Sequence, residues 1–272
     1  MLENLNSCKG ERQSAAKFIE IYKGSTTKLL IKITYRIMIK KTKFNKESRN
    51  LLIAMTIGDG TIMKGKYGCS MKLEQGRNQE EYLKWKIKKL DEFGIKHSDI
   101  KVSYNKTNYT HGEYWATYRT YIKHTTFIEV LRKVIYTPIG KVLSRKLLNR
   151  LTPLGLAIWY MDDGGLNHKK KTNLKGQRII YSTALRLSVC TTSTEVIQSY
   201  IDYFREVWNI NFYTFKEGKN RDKYSLMCGT KEARKFLNIV GKYVSEVKGM
   251  EYKNDLLIGH ICDGTEKGNG EH

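Results

Sequence analysis

LTPLGLAIWYMDDGG, residues 151–165, opens on Thr-Pro, runs through apolar residues and closes on two aspartates and two glycines. Thr152 suits a helix N-cap and Pro153 the first helical position. The apolar run then predicts a helix of about three turns that ends near Gly164. A weaker copy, LLIAMTIGDG, occupies residues 51–60. Gly60 and Gly164 fall where a helix C-cap needs a left-handed residue. The aspartate before each glycine sits at the end of the helix that disfavours an anion, so its charge needs a compensating cation. One Asp-Gly is an ordinary turn signal. Two, at matching places, point to a two-fold site where carboxylates from two repeats meet. Paired carboxylates ligate hard divalent cations such as Mg²⁺.

The sequences around the motifs repeat as well. SMKLEQ (70–75) and ALRLSV (184–189) alternate as strands do. Each is followed by a helical pattern: Leu83, Ile87, Leu90 and Phe93 in the first half, Ile197, Ile201, Phe204 and Val207 in the second. Both patterns end in aromatic-x-Ile. Residues 113–123 read as a strand with a helix over 127–134. Residues 224–228 read as a strand with Thr230 capping a helix over 231–240. Each half is therefore motif helix, two strands, helix, two strands, helix. Residues 141–150 join them without a Gly/Ser linker and read as helical or tightly packed. The expected division is a basic N-terminal extension (1–47), two halves (48–150 and 151–260) and a disordered tail (261–272). The extension suits a DNA-contacting arm or a solvated surface segment better than a transit peptide.

The 272 residues carry 49 Lys and Arg against 27 Asp and Glu, a formal charge of +22. An excess of that size favours a phosphate-backbone partner. The cysteines (Cys8, Cys69, Cys190, Cys228, Cys262) are scattered singly, without zinc spacing, and their odd number argues against a disulfide framework. Reduced thiols suit an intracellular setting: a mitochondrion, a bacterial cytoplasm or a phage-infected cell. The apolar run at 29–39 is broken by Lys32 and Arg36 and is too short to span a bilayer, so no membrane partner is expected. His168 reads as a solvated loop residue.

The two motifs resemble those of the LAGLIDADG homing endonucleases in their single-chain, two-motif, monomeric form. The match is LIAMTIGDG (52–60) and LAIWYMDDG (156–164), each aligned on its final Asp-Gly. The string at 151–165 is the specific part, and the first motif alone is weak. The resemblance implies an α+β fold of two pseudo-symmetric αββαββα halves, packed through the motif helices, each with a curved antiparallel sheet facing DNA. It implies that Asp59 and Asp163 bind metal and that Gly58 and Asp162, just before them, lend backbone carbonyls. Asp163 is preferred to Asp162 because it keeps register with Gly164, as Asp59 does with Gly60. Lys141 and Lys253 match the basic residue that the family places near each centre, although ordinary phosphate contact is the rival role. Ala54 matches a small motif residue that becomes Ile158 in the second copy, which puts close helix approach in doubt there.

The activity so implied is site-specific double-strand cleavage across the minor groove, with two or three Mg²⁺ ions and 3′ overhangs, as in intron homing. Sheet residues on one parity would then meet DNA: Lys72, Glu74, Arg119 and Lys123 in the first half, and Arg186, Ser188, Tyr213, Phe215 and Lys223 in the second. A one-residue error would exchange this set with the core set, Met71, Leu73, Leu185 and Leu187. The basic run at 167–180, with Lys170, Lys171, Lys175 and Arg178, reads as a DNA-facing hairpin or a disordered loop. Two other functions share the fold: an RNA maturase acting on its host intron RNA, and an inactive DNA-binding regulator. Two aspartates kept in register argue against the second.

Overall fold

The structure, a computed structural model, describes residues 44–66, 68–106, 114–137, 140–191, 193–216 and 224–262. Two helices lie at its centre. Helix α1 (Lys46–Ile57) starts at Asn45, whose side chain accepts a hydrogen bond from the Ser48 N–H at 2.8 Å. Helix α5 (Pro153–Asp163) starts at Thr152, whose Oγ1 accepts from the Gly155 N–H at 3.2 Å. The predicted cap and proline are both in place. Replacing Thr152 with Ala should cost about 1 kcal/mol. A urea midpoint unchanged by that substitution would show that the cap is idle.

Residues 51–57 and 156–161 are buried on every side. A helix apolar all round belongs in an interior rather than on a surface. Here each motif helix packs on the other. A Cβ on Gly155 would stand 3.5 Å from the Ala54 Cβ, so the close approach at the seam is made by Ala54 with Gly155. Ile158, which looked like an obstacle, is fully buried in the same core.

Around this pair each half supplies a four-stranded antiparallel sheet. In the first, β1 (Thr61–Gly65), β2 (Gly68–Gly76), β3 (Lys101–Lys106) and β4 (Tyr114–Ile122) take the order β1-β2-β4-β3. A short ribbon, β5 (Tyr136–Thr137) with β6 (Gly140–Lys141), and a single-turn helix α4 (Arg145–Leu148) lead to α5. In the second half β7 (Gly164–Thr172), β8 (Arg178–Thr191), β9 (Tyr213–Lys216) and β10 (Tyr224–Cys228) take the order β7-β8-β10-β9. The identical orders express the internal repeat.

One face of each sheet is covered by helices: α2 (Glu80–Glu92) and α3 (Thr126–Ile135) in the first half, α6 (Thr194–Trp208) and α7 (Thr230–Val244) in the second. Met71 and Leu73, then Leu185, Leu187 and Leu226, point into a core that runs without a break across the seam. Gly94 and Asn209 hold left-handed backbone at the aromatic-x-Ile ends, φ 64° and 53°. That turn sends Ile95 and Ile210 back into the core.

Several local expectations change. Val207 is exposed, and Tyr200 and Tyr203 fill the core on α6 instead. Gly229, not Thr230, precedes α7, because the Thr230 hydroxyl is bonded to the Thr183 backbone. His168 lies within β7 and contacts the Thr183 hydroxyl. The basic run forms an ordered hairpin whose turn is held by the Asn173 side chain accepting from the N–H groups of Lys175 and Gln177. The stretch at 140–150 is part ribbon and part helix. Residues 259–262 lie along β8, with the N–H of Cys262 donating to the Arg178 carbonyl at 2.7 Å. Residues 1–43 and 263–272 lie outside the described residues. Among the described residues no helix is long and apolar enough to cross a membrane.

Candidate active site

Gly60 and Gly164 are not left-handed: among the described residues neither has positive φ, and Gly164 is extended at φ −102°, ψ 166°. Space, not backbone conformation, demands glycine here. A Cβ on Gly60 would come within 2.2 Å of the Met55 carbonyl oxygen, and one on Gly164 within 2.1 Å of the Tyr160 ring. The chain thus turns tightly off each helix, and the aspartate beside each glycine is delivered at the seam.

The helix ends already have cations. Lys141 Nζ donates to the carbonyls of Gly58 and Gly60 at 2.7 and 2.8 Å. Lys253, in a short turn of 3₁₀ helix, donates to the carbonyls of Met161 and Gly164 at 2.5 and 2.9 Å. The two lysines therefore occupy near-equivalent places in the repeat. A tyrosine anchors the segment that carries each: Tyr136, paired with Lys141 across the β5–β6 ribbon, accepts from the Ile62 N–H through its hydroxyl, and the Tyr160 hydroxyl donates to the Lys253 carbonyl. Lysine at a helix C-terminus offsets both the dipole and the orphan carbonyls. The field of the helix ends, taken alone, thus calls for no metal. Lys253 is only 5% exposed, and burial lowers its pKa to about 8.

The three aspartates differ. Asp59 is exposed, and its Oδ2 accepts from the Gln75 side chain at 2.7 Å. Asp162 is fully buried: its Oδ1 lies 2.5 Å from Lys86 Nζ, and its Oδ2 accepts from the Asp59 N–H at 3.0 Å. Asp163 makes neither of these contacts. Burial first, then the charges of Asp162 and Asp59, push its pKa up to about 7. A carboxyl group held in that state sits near others of its own sign without enough positive charge beside it. The arrangement places Asp59 and Asp163, one from each repeat, within each other's electrostatic reach, and occupies the Asp162 side chain structurally. Among the described residues no three His, Cys, Asp or Glu side chains form a ligand cluster. A divalent ion here would draw its remaining ligands from carbonyls, water and a bound phosphate, which suits Mg²⁺. The Gly58 carbonyl already accepts from Lys141 and keeps one lone pair.

The face of each sheet away from the helices carries the expected parity. In the first sheet Lys72 pairs with Tyr121, and Glu74 with Arg119. Glu74 sits between Lys72 and Arg119, at 3.2 Å from each. Lys123 is exposed just beyond β4. In the second sheet Ser188, Ser225 and Phe215 form one row across three strands, and Arg186, Met227 and Tyr213 the next. Lys170, Lys171, Lys175 and Arg178 are all exposed on the hairpin. Lys223 lies outside the described residues.

Residues 49–236 match the LAGLIDADG DNA endonuclease family, more than half of the chain. The chain belongs to that family. The fold of this LAGLIDADG protein follows that of the homing endonuclease I-WcaI, solved bound to its DNA recognition sequence. The two share 21% identity and a TM-score of 0.63, over 83% of this chain and 93% of the other. Curated relatives include a protein named RecA from Mycolicibacterium flavescens, 28% identical over 206 residues, and another from Mycolicibacterium chitae, 28% identical over 211. In each case the match takes 75% of this chain and 45% of the relative, so the chain spans under half the length of these relatives.

Three residues at the site or on the open sheet face were not among the sequence candidates. Gln75 sits on the core parity of β2, where a polar residue among Met71 and Leu73 is the visible signal. Lys86 lies within the apolar stripe of α2, between Leu83 and Leu90, and is fully buried. Trp115 shares the open sheet face with Arg119, and its indole stands 3.2 Å from where a Cβ on Gly76 would be.

Proposed function

We propose that this endonuclease cuts double-stranded DNA at a long, specific site, hydrolysing one phosphodiester in each strand as a homing enzyme does. The observation that supports this reading is the meeting of Asp59 and Asp163 at the seam between two basic sheets. In this reading the two aspartates hold divalent ions, Mg²⁺ by preference, with the Gly58 and Asp162 carbonyls available beside them. Such ions supply an activated water and stabilise the departing 3′ oxygen. The protein's own part is to fix the carboxylates in place. Lys141 and Lys253 anchor the chain turns that carry the carboxylates and add positive potential around the scissile phosphates. Two reaction centres this near one another select phosphates that face each other across the minor groove, and a break there leaves 3′ overhangs.

The open sheet faces read the major groove. Arg119, Lys72 and Arg186 suit guanine edges, while Ser188 and Glu74 suit other bases. Tyr213 and Phe215 add apolar contact. Lys170, Lys171, Lys175 and Arg178 grip the backbone from the hairpin, and Lys123 does so from the rim. The enzyme acts as a monomer, since one chain supplies both centres.

The test is cleavage of a randomised duplex library, with the cut ends sequenced. Recovery of one long target with 3′ overhangs, blocked by a chelator and restored by Mg²⁺, is the expected result. Cutting that survives chelation would overturn the reading. Affinity for the recovered site should fall steeply with salt, and replacing Lys170 and Lys171 with Gln should reduce the log–log salt slope by roughly 1 per contact. A slope unchanged in the double variant would remove the hairpin from the interface.

A further inference from the structure

Asp162 and Gly58 occupy the same position in the repeat, each just before the motif aspartate, but only one of them has a side chain. The Asp162 carboxylate fills the space that Gly58 leaves: a Cβ on Gly58 would come within 2.0 Å of Asp162 Oδ2. The carboxylate is held from one side by Lys86, itself fully buried and 4.2 Å from the centroid of the Tyr82 ring. On the other side it accepts the Asp59 N–H at 3.0 Å. Lys86 and Asp59 belong to the first half and Asp162 to the second, so one buried ion pair crosses the seam.

The hydroxyl of Tyr82 donates to the Ile158 carbonyl at 3.2 Å and ties α2 to α5 a turn earlier. Asp162 is thus held by a buried cation, by a backbone donor and on a helix tied to α2. Its main chain carries Asp163 directly, and its side chain holds the backbone of Asp59. An isolated buried pair is weak evidence for stability, because desolvation offsets much of the attraction. Well-packed apolar residues of similar volume often replace a buried ion pair without loss of stability, so an ion pair here points to a task that an apolar pair cannot perform.

We infer that Asp162, clamped by Lys86, is a positioning residue shared by the two reaction centres, setting the spacing of Asp59 and Asp163 across the seam. The inference rests on those two aspartates being the metal-binding pair. Groups that orient metal ligands without touching the metal typically contribute 10- to 100-fold to affinity or rate.

Two double variants of the full chain isolate the role. K86M/D162A makes the pair apolar and removes the acceptor for the Asp59 N–H. K86Q/D162N is also uncharged but keeps an acceptor oxygen. Both are compared with wild type in single-turnover cutting of the target duplex over a Mg²⁺ titration, after circular dichroism has established the folded fraction of each. K86M/D162A should cut about 10- to 100-fold more slowly than K86Q/D162N and require more Mg²⁺ for half-maximal rate, with similar DNA affinity. Equal rates and equal Mg²⁺ midpoints for the two, whether fast or slow, would overturn the inference. D59N and D163N run alongside keep the two ideas apart. If either of them still cuts, the assignment of the metal-binding pair fails, whereas dead D59N and D163N with indistinguishable double variants removes only the shared positioning role.

Discussion

Asp163→Asn should lower the cleavage rate by at least about 10³-fold, leave target affinity largely intact and stabilise the metal-free protein at neutral pH. The first effect follows, on the proposed role, from removing an anionic oxygen from the metal-binding pair; losing a group that stabilises the transition state electrostatically costs on the order of 10²–10³, and a metal ligand should cost no less. The second follows because Asp163 lies at the end of a motif helix and not on the sheet faces proposed to meet DNA. The third follows from linkage. The folded-state pKa of Asp163 is raised from 3.8 to about 7. Below pH 4 the group is protonated in both folded and unfolded chains and costs nothing. As pH rises from 4 towards 7 the unfolded chain releases its proton first, and stability falls until the folded group has ionised too.

Asparagine carries no such penalty. A shift of that size corresponds to about 4 kcal/mol at most, and solvent screening of a partly exposed group brings the expected gain to about 2 kcal/mol. Urea midpoints of wild type and variant, measured with chelator at pH 8 and pH 4, give the check. The variant should be the more stable at pH 8, and the gap should close at pH 4. A variant less stable at pH 8, or one that cuts at the wild-type rate, would contradict the site as described. A residue whose charge destabilises the protein without metal is an expected mark of function.

Gly58→Ala should be strongly destabilising. The new Cβ would lie 2.0 Å from Oδ2, 2.6 Å from Cγ and 2.7 Å from Cβ of Asp162. None of these atoms can yield cheaply, since the carboxylate is fully buried and held by Lys86 at 2.5 Å. Relief requires either opening the seam or breaking the ion pair. Breaking a buried pair costs about 3–5 kcal/mol. Denaturant unfolding of G58A should show a loss of that order, with cutting lost as well. The same substitution in a D162A background should cost far less, because its steric partner is gone. A strong coupling in that double-mutant cycle is the signature of the contact, and additive effects would refute it.

The sequence made the repeat, the order of elements and the parity of the strands legible, because these depend on periodicity and each half corroborates the other. It identified Asp59, Asp163, Lys141 and Lys253 as candidates, and the structure brings all four to one place. It misread the glycines, since left-handed backbone and a lack of room for a Cβ both select glycine, and only packing tells them apart. It missed Lys86 and Gln75 for the opposite reason. A polar residue on an apolar stripe breaks the pattern, and its partner lies far along the chain: Asp162 for Lys86, Asp59 for Gln75. The need for a cation at the helix ends was sound physics, but lysines supply it.

The fit of Asp162 into the space at Gly58 has a consequence for how such an enzyme can be assembled. Two copies of the first half, joined seam to seam, would face glycine with glycine and leave Lys86 without its counter-charge. Two copies of the second would bring a pair of buried carboxylates together with no ammonium between them. Only the unlike combination is both filled and neutral. The interface therefore tells its two sides apart, and a chimaera built by exchanging one half must bring along the complementary member of this lock, or mend it on the other side.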